Sequence, residues 1–197
     1  MSNKKEDKTI NEICFEDWGL YNAGAINCKW WPAGTKAEEV QEFLEKRRLK
    51  AGVFPADDLE IFVSDTSLNW PGEIVTARES VPEIISEHCG IDDALNILEL
   101  FDAASDDELK AAAYLLYMGF AEEFEGAIDK AQDVHIIDND YSMKNEETVL
   151  GYYWADNGLI EVPEHLESYI DWEQIGRELI INGPYCKFAG DIYEYTN

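Results

Sequence analysis

The sequence predicts an α+β protein: a small mixed α/β unit over residues 1–72, a helical middle over 73–130, and a C-terminal α+β unit over 131–197 with a small antiparallel sheet. Three observations carry this. Short aromatic-rich runs separated by turn residues open and close the chain. From Ser80 onward apolar residues recur at three- and four-residue steps. Several helix starts are marked by Ser, Thr or Asp three residues ahead of Glu or Gln.

Residues 1–11 are polar and expected to fray. Ile13–Tyr21 reads as a strand leading into the turn Asn22-Ala-Gly24, with Ala25–Trp31 as its return. Thr35 and Glu38 have the spacing of a capping box, opening a helix that runs to Lys50 and ends in a basic turn suited to the helix dipole. Glu60–Asp65 reads as a third strand. Helices are expected after Pro82, over Asp92–Ala103, and from Ser105, where Glu108 completes a second capping box. A fourth sets Phe120, Phe124, Ile128 and Ala131 on one side and Glu122, Glu125, Asp129 and Asp133 on the other. Val134–Asp138 reads as a strand and Glu146–Asp156 as a helix ended by Gly158.

In Gly158–Gly183, Glu164, Glu167, Asp171, Gln174 and Glu178 recur at helical spacing, against apolar Leu166, Ile170, Ile175 and Leu179. Asp171 is placed to cap a helix, which divides this stretch into a short helix after Pro163 and a longer one ending near Gly183. Tyr185–Phe188 and Ile192–Tyr195 form a closing hairpin around Ala189-Gly-Asp191.

The 197 residues are 46% apolar and 12% aromatic, enough for a packed core, yet carry a net charge of −27. Residues 1–50 hold nine Lys/Arg and nine Asp/Glu, so the whole excess lies in 51–197, where six bases face 33 acids. Self-repulsion of this size disfavours the compact state, so the charge serves solubility or a basic partner. Twenty-seven charges match ~46 Å of B-form duplex, while a compact chain of this length is about 40 Å across, so the linear charge density is that of a nucleic acid. Direct binding of nucleic acid is disfavoured, since only Lys46, Arg47, Arg48 and Lys50 approach a basic patch. Repeated acidic stripes leave two readings open: solvated helix faces, or one binding surface.

Cys14, Cys28, Cys89 and Cys186 are scattered without a CxxC pair, which points to reduced, mostly buried thiols in a cytoplasmic protein. No apolar run of membrane-spanning length and no signal-peptide core is present in the sequence. A phosphate loop, a GxSxG elbow and an HExxH pair are likewise missing. The three histidines lie far apart, and an EF-hand reading from Asp138, Asp140 and Ser142 fails because Val149 stands where the bidentate Glu belongs. The expectation is therefore a binding protein without metal, cofactor or catalytic residues. Its rivals are a carboxylate-based hydrolase and an acidic adaptor for some other basic protein.

Leu20-Tyr-Asn-Ala-Gly24 followed by Lys29-Trp30, Glu60–Asp65, and above all Glu161-Val-Pro163 with Tyr169-Ile-Asp171 and Gly176-Arg-Glu-Leu179 resemble the ArdA antirestriction proteins. Trp172, Cys28 and Ser64 stand where that family often has Tyr, Gly and His. The resemblance implies an elongated three-part homodimer, paired through its C-terminal parts, whose carboxylates imitate the phosphates of bent DNA. It implies that such a protein occupies the DNA groove of type I restriction-modification enzymes, blocking restriction and often methylation. Plasmids, conjugative transposons or phages are the usual carriers. On that reading the mimic surface comprises Asp106, Asp107, Glu122, Glu125, Asp129, Asp133, Glu146, Glu147, Glu164, Glu167, Asp171 and Glu178. Three consecutive aromatics, Tyr152, Tyr153 and Trp154, are more than one helix face needs and are the candidates for self-association.

Overall fold

The computed structural model describes residues 10–26, 28–76, 82–139 and 145–196. The N-terminal nine residues and residues 140–144, among them Asp140 and Ser142, therefore lie outside the described residues. The chain forms two compact units, Met1–Asn69 with Glu83–Ala104, and Trp70–Pro82 with Ser105–Asn197. Each holds one three-stranded antiparallel sheet with helices, so the architecture is mixed α and β.

In the first unit β1 (Glu12–Asp17) lies between β2 (Trp30–Pro32) and β3 (Ile61–Ser67). The register against β3 shifts between Cys14 and Phe15, a bulge that admits an extra residue on one strand. Ile13, Phe15, Trp31 and Val63 pack with Val40 and Leu44 of α2 (Ala37–Ala51) and with Ala94, Leu95 and Leu98 of α4 (Ile91–Ala103).

Several local expectations change here. The first strand stops at Asp17 rather than Tyr21, because the Asp17 carboxylate accepts the Leu20 N–H at 3.0 Å and caps α1 (Trp18–Asn22). The return strand shortens to three residues. The Thr35–Glu38 capping box does not form: Lys36 occupies the cap position, and the Thr35 hydroxyl donates to the Pro32 carbonyl instead. The stretch from Pro82 to Gly90 is irregular rather than helical, with the Glu87 carbonyl accepting the Val63 N–H. A helix lies earlier, as α3 (Gly72–Thr76), in the Trp70–Pro82 segment that belongs to the second unit. Cys14 and Cys28 are joined as a disulfide, against the expectation of four free thiols, whereas Cys89 and Cys186 are free.

In the second unit β6 (Asp191–Tyr195) is the central strand, between β4 (Val134–Ile137) and β5 (Tyr185–Phe188). The two-residue connection Ala189-Gly190 has both φ values positive, at 51° and 93°, the geometry that matches the twist of a tight hairpin. Strand alternation sends successive β6 side chains to opposite faces. Ile192 joins Ile137, Val149, Leu150 and Tyr185, covered by α7 (Glu146–Asp156) and α8 (Trp172–Asn182). Tyr193 turns the other way and stacks on Tyr114 of α5 (Asp106–Tyr117) at 4.8 Å, with Phe188 edge-on.

Helices α7 and α8 meet backbone to backbone. A Cβ on Gly151 would land on the Trp172 carbonyl oxygen, and one on Gly176 on that of Glu147. The glycine of the Gly176-Arg-Glu-Leu179 motif is thus a packing residue. As expected, Asp171 caps α8, and the segment before it is a separate 3-10 helix, Glu164–Tyr169. Leu166 does not join an apolar face; it is exposed, because the break at Asp171 carries the helical period no further. The acidic helix α6 is also shorter than its pattern, Phe124–Lys130, so Glu122 precedes it and Asp133 falls in a 3-10 turn.

Candidate functional site

The charged residues of the second unit are arranged by three elements. Helix α5 begins at a complete capping box: Ser105 Oγ accepts the Glu108 N–H, and the Glu108 carboxylate accepts from both the Ser105 N–H and hydroxyl. The Ser105 backbone N–H, then its hydroxyl, hold the Glu108 carboxyl below its ordinary pKa. This cap concentrates Asp106, Asp107 and Glu108 in one exposed turn, where the helix dipole favours anions. Helix α6 presents Glu125 and Asp129 one turn apart. Strand β4 delivers Asp138 just beyond its end.

Together these elements line two concavities. One, of about 600 Å³, is bounded by Asp107, Glu108, Asp129 and Asp138 with Ile128, Ala131, Gln132, Val134, His135 and Ile136. The second, about 470 Å³, is bounded by Ala121, Glu122, Glu123, Glu125, Gly126, Asp129 and Lys130. Asp129 belongs to both, so the two grooves adjoin and share a carboxylate wall. Of the two bases at their rims, Lys130 donates its ammonium to the Phe120 carbonyl, and His135 faces Glu194 at 3.9 Å. Asp138 is partly compensated by Lys110 at 3.6 Å.

The twelve acids singled out by sequence therefore divide. Asp107, Glu122, Glu125 and Asp129 line the grooves, while Asp106 is exposed on α5 and Asp133 in the 3-10 turn after α6. Glu164 and Glu167 are exposed on the 3-10 helix. Asp171 accepts the Gln174 N–H at 3.0 Å, and Glu178 accepts from the Gln174 and Asn182 side chains, so both are partly engaged in their own helix. Glu146 and Glu147 are only half exposed and share Lys187 of β5. That lysine draws the Glu147 carboxyl below its ordinary pKa. Glu108, Glu123 and Asp138 were missed as groove residues. The signal for Glu108 was read as a cap, which it is. Asp138 reaches the groove only because β4 pairs with β6, a contact no local pattern contains.

The aromatic trio has partners within the unit. Tyr152 packs on Trp172 with ring centres 5.1 Å apart, Tyr153 on His135 at 5.7 Å, and Trp154 donates its indole N–H to the Tyr185 hydroxyl at 3.1 Å.

The basic run of the first unit turns inward. Arg48 is 6% exposed; its Nε donates to Asp17 at 2.7 Å and its Nη1 to the Pro55 carbonyl. Arg47 faces the buried Glu16 at 3.7 Å and donates to the Ala25 carbonyl. Two of the four bases that could have formed a phosphate-binding patch are thus consumed by the fold.

Among the described residues no group of three or more His, Cys, Asp or Glu is placed to hold a metal ion, and no helix is long and apolar enough to cross a membrane. No curated protein matches the chain. The family described as antirestriction protein (ArdA) matches residues 13–194, and the chain belongs to that family.

Proposed function

We propose that this antirestriction protein is a non-enzymatic mimic of B-form DNA that acts in the cytoplasm as a homodimer and occupies the DNA groove of a type I restriction-modification enzyme, blocking restriction. The observation that carries the reading is the pair of adjoining grooves walled by Asp107, Glu122, Glu125, Asp129 and Asp138. Carboxylates held on helices, as Asp107 is on α5 and Glu125 and Asp129 are on α6, cost little reorganisation when a basic cleft closes on them. They steer that cleft by their field and release its counterions as phosphates do. Bending a DNA site costs on the order of 1–6 kcal/mol, and a competitor already folded into its bound shape is spared that term.

The test is competition between the protein and a labelled duplex for purified type I methyltransferase. A protein making six to ten phosphate contacts loses roughly 10³–10⁵ in affinity between about 50 and 200 mM salt, and a mimic follows the same trend. The protein's own Kd for the methyltransferase, measured without DNA, is expected to rise steeply over that range, and a Kd that does not change rules out electrostatic mimicry.

A further inference from the structure

In the first unit the end of β1, helix α1 and strand β3 enclose a cavity of about 370 Å³, at the small end of ligand-pocket size. Its walls combine two kinds of group. Trp18 stacks on Phe62 with centroids 4.1 Å apart and planes 20° from parallel. Tyr21 stands edge-on to both, at 5.4 Å from Trp18 and 6.1 Å from Phe62. Glu16, Asp65 and Glu87 supply carboxylates, and no basic residue lines the space. Glu16 is already engaged by Arg47. Asp65 accepts the Thr66 N–H at 2.8 Å, and among the described residues neither Asp65 nor Glu87 is paired with a base.

Aromatic faces carry negative electrostatic potential, and carboxylates beside them add formal charge. An apolar ligand would leave those carboxylates uncompensated, and an anion would be repelled by them. A cation with a flat, weakly hydrated head can satisfy both walls at once. Guanidinium meets that description better than ammonium, because it stacks on rings and offers several donors in one plane. Tyr21 is 47% exposed, so the cavity is open to a side chain arriving from outside.

We propose that this cavity receives the guanidinium group of an arginine side chain presented by a partner polypeptide, held between Trp18, Tyr21 and the carboxylates of Asp65 and Glu87. It rests on the function proposed above only for the identity of the protein that carries the arginine. The first unit, whose N-terminal fifty residues are charge-balanced, would then add a discrete anchor to a contact otherwise spread over many carboxylates.

The experiment titrates the full chain with short peptides of identical neutral flanks carrying arginine, lysine or citrulline at the centre. It follows the indole N–H resonance of Trp18, assigned with Trp18→Phe. The arginine peptide is expected to give a saturable shift, the lysine peptide a weaker one, and the neutral citrulline peptide none. Asp65→Asn combined with Glu87→Gln keeps both shapes and is expected to raise the arginine peptide's Kd roughly fivefold, as two exposed ion pairs would. The proposal is overturned by no saturable shift with arginine, by lysine or citrulline binding as tightly, or by an unchanged Kd in the double variant. A failed titration leaves the salt-dependent competition for the methyltransferase standing, and a failed competition leaves this titration readable.

Discussion

The two units use the same acidic side chains in opposite ways. In the first, Asp17 is fully buried and satisfied three times over, by Arg48, the Leu20 N–H and the Glu60 N–H, and Glu16 is buried beside Arg47. There carboxylates hold α1, α2 and β3 in register. In the second, Asp107, Glu122, Glu125 and Asp129 face solvent along two grooves, Asp107 in the turn gathered by the Ser105 cap and Glu125 and Asp129 along helix α6. A carboxylate's effect thus depends on what desolvates it. Buried and paired, it specifies geometry at high stakes; exposed among its like, it adds field and almost no stability.

The comparison can be tested at its strongest point first. Arg48→Ala leaves Asp17 buried without its ionic partner and is expected to cost about 3–5 kcal/mol in urea unfolding. Gly176→Ala drives a methyl into the Glu147 carbonyl of α7 and is expected to lower stability by about 1–3 kcal/mol, loosening the α7–α8 pair. Ser105→Ala removes the cap that gathers the α5 acids and should cost about 1 kcal/mol. Asp107→Asn, Glu125→Gln and Asp129→Asn together should leave stability within about 0.5 kcal/mol per site while weakening competition with duplex DNA at least tenfold at low salt. A triple variant that unfolds would erase the contrast between the two units.

The smallest effect concerns Glu147. Its folded-state pKa lies below the ordinary value, chiefly through the hydrogen bond from Lys187. It therefore contributes stability above the unfolded-state pKa, and that contribution is lost as pH falls through the lowered one. Lys187→Met should narrow the gap in thermal midpoint between neutral pH and about pH 4, because the variant has less of this stabilisation to lose on acidification.

What could be read from the sequence was what is local. The Ser105–Glu108 box and the Asp171 cap each span four residues, and both form where their spacing placed them. The acids of α6 could be read from helical spacing, although the helix itself starts only at Phe124. Trp18–Tyr21 reads as a strand because aromatic residues favour strands, but a cap at Asp17, anchored by Arg48 thirty-one residues away, turns the chain into a helix. Glu146 and Glu147 read as free surface acids because Lys187 lies some forty residues on, in a strand that meets α7 only in the folded unit. The arginine-sized cavity was missed for the same reason. Phe62 and Glu87 come to Trp18 through β3 and through the hydrogen bond between Val63 and Glu87, not through any motif.

The position of β6 has a consequence for how the molecule is made. This strand follows every other described element in the chain, yet among the described residues it is the only strand paired with β4, which forms part of the groove wall. A nascent chain on the ribosome can complete its first sheet while synthesis continues. The second must wait until Asp191–Tyr195 has emerged, so a truncated product would lack the strand that anchors this wall.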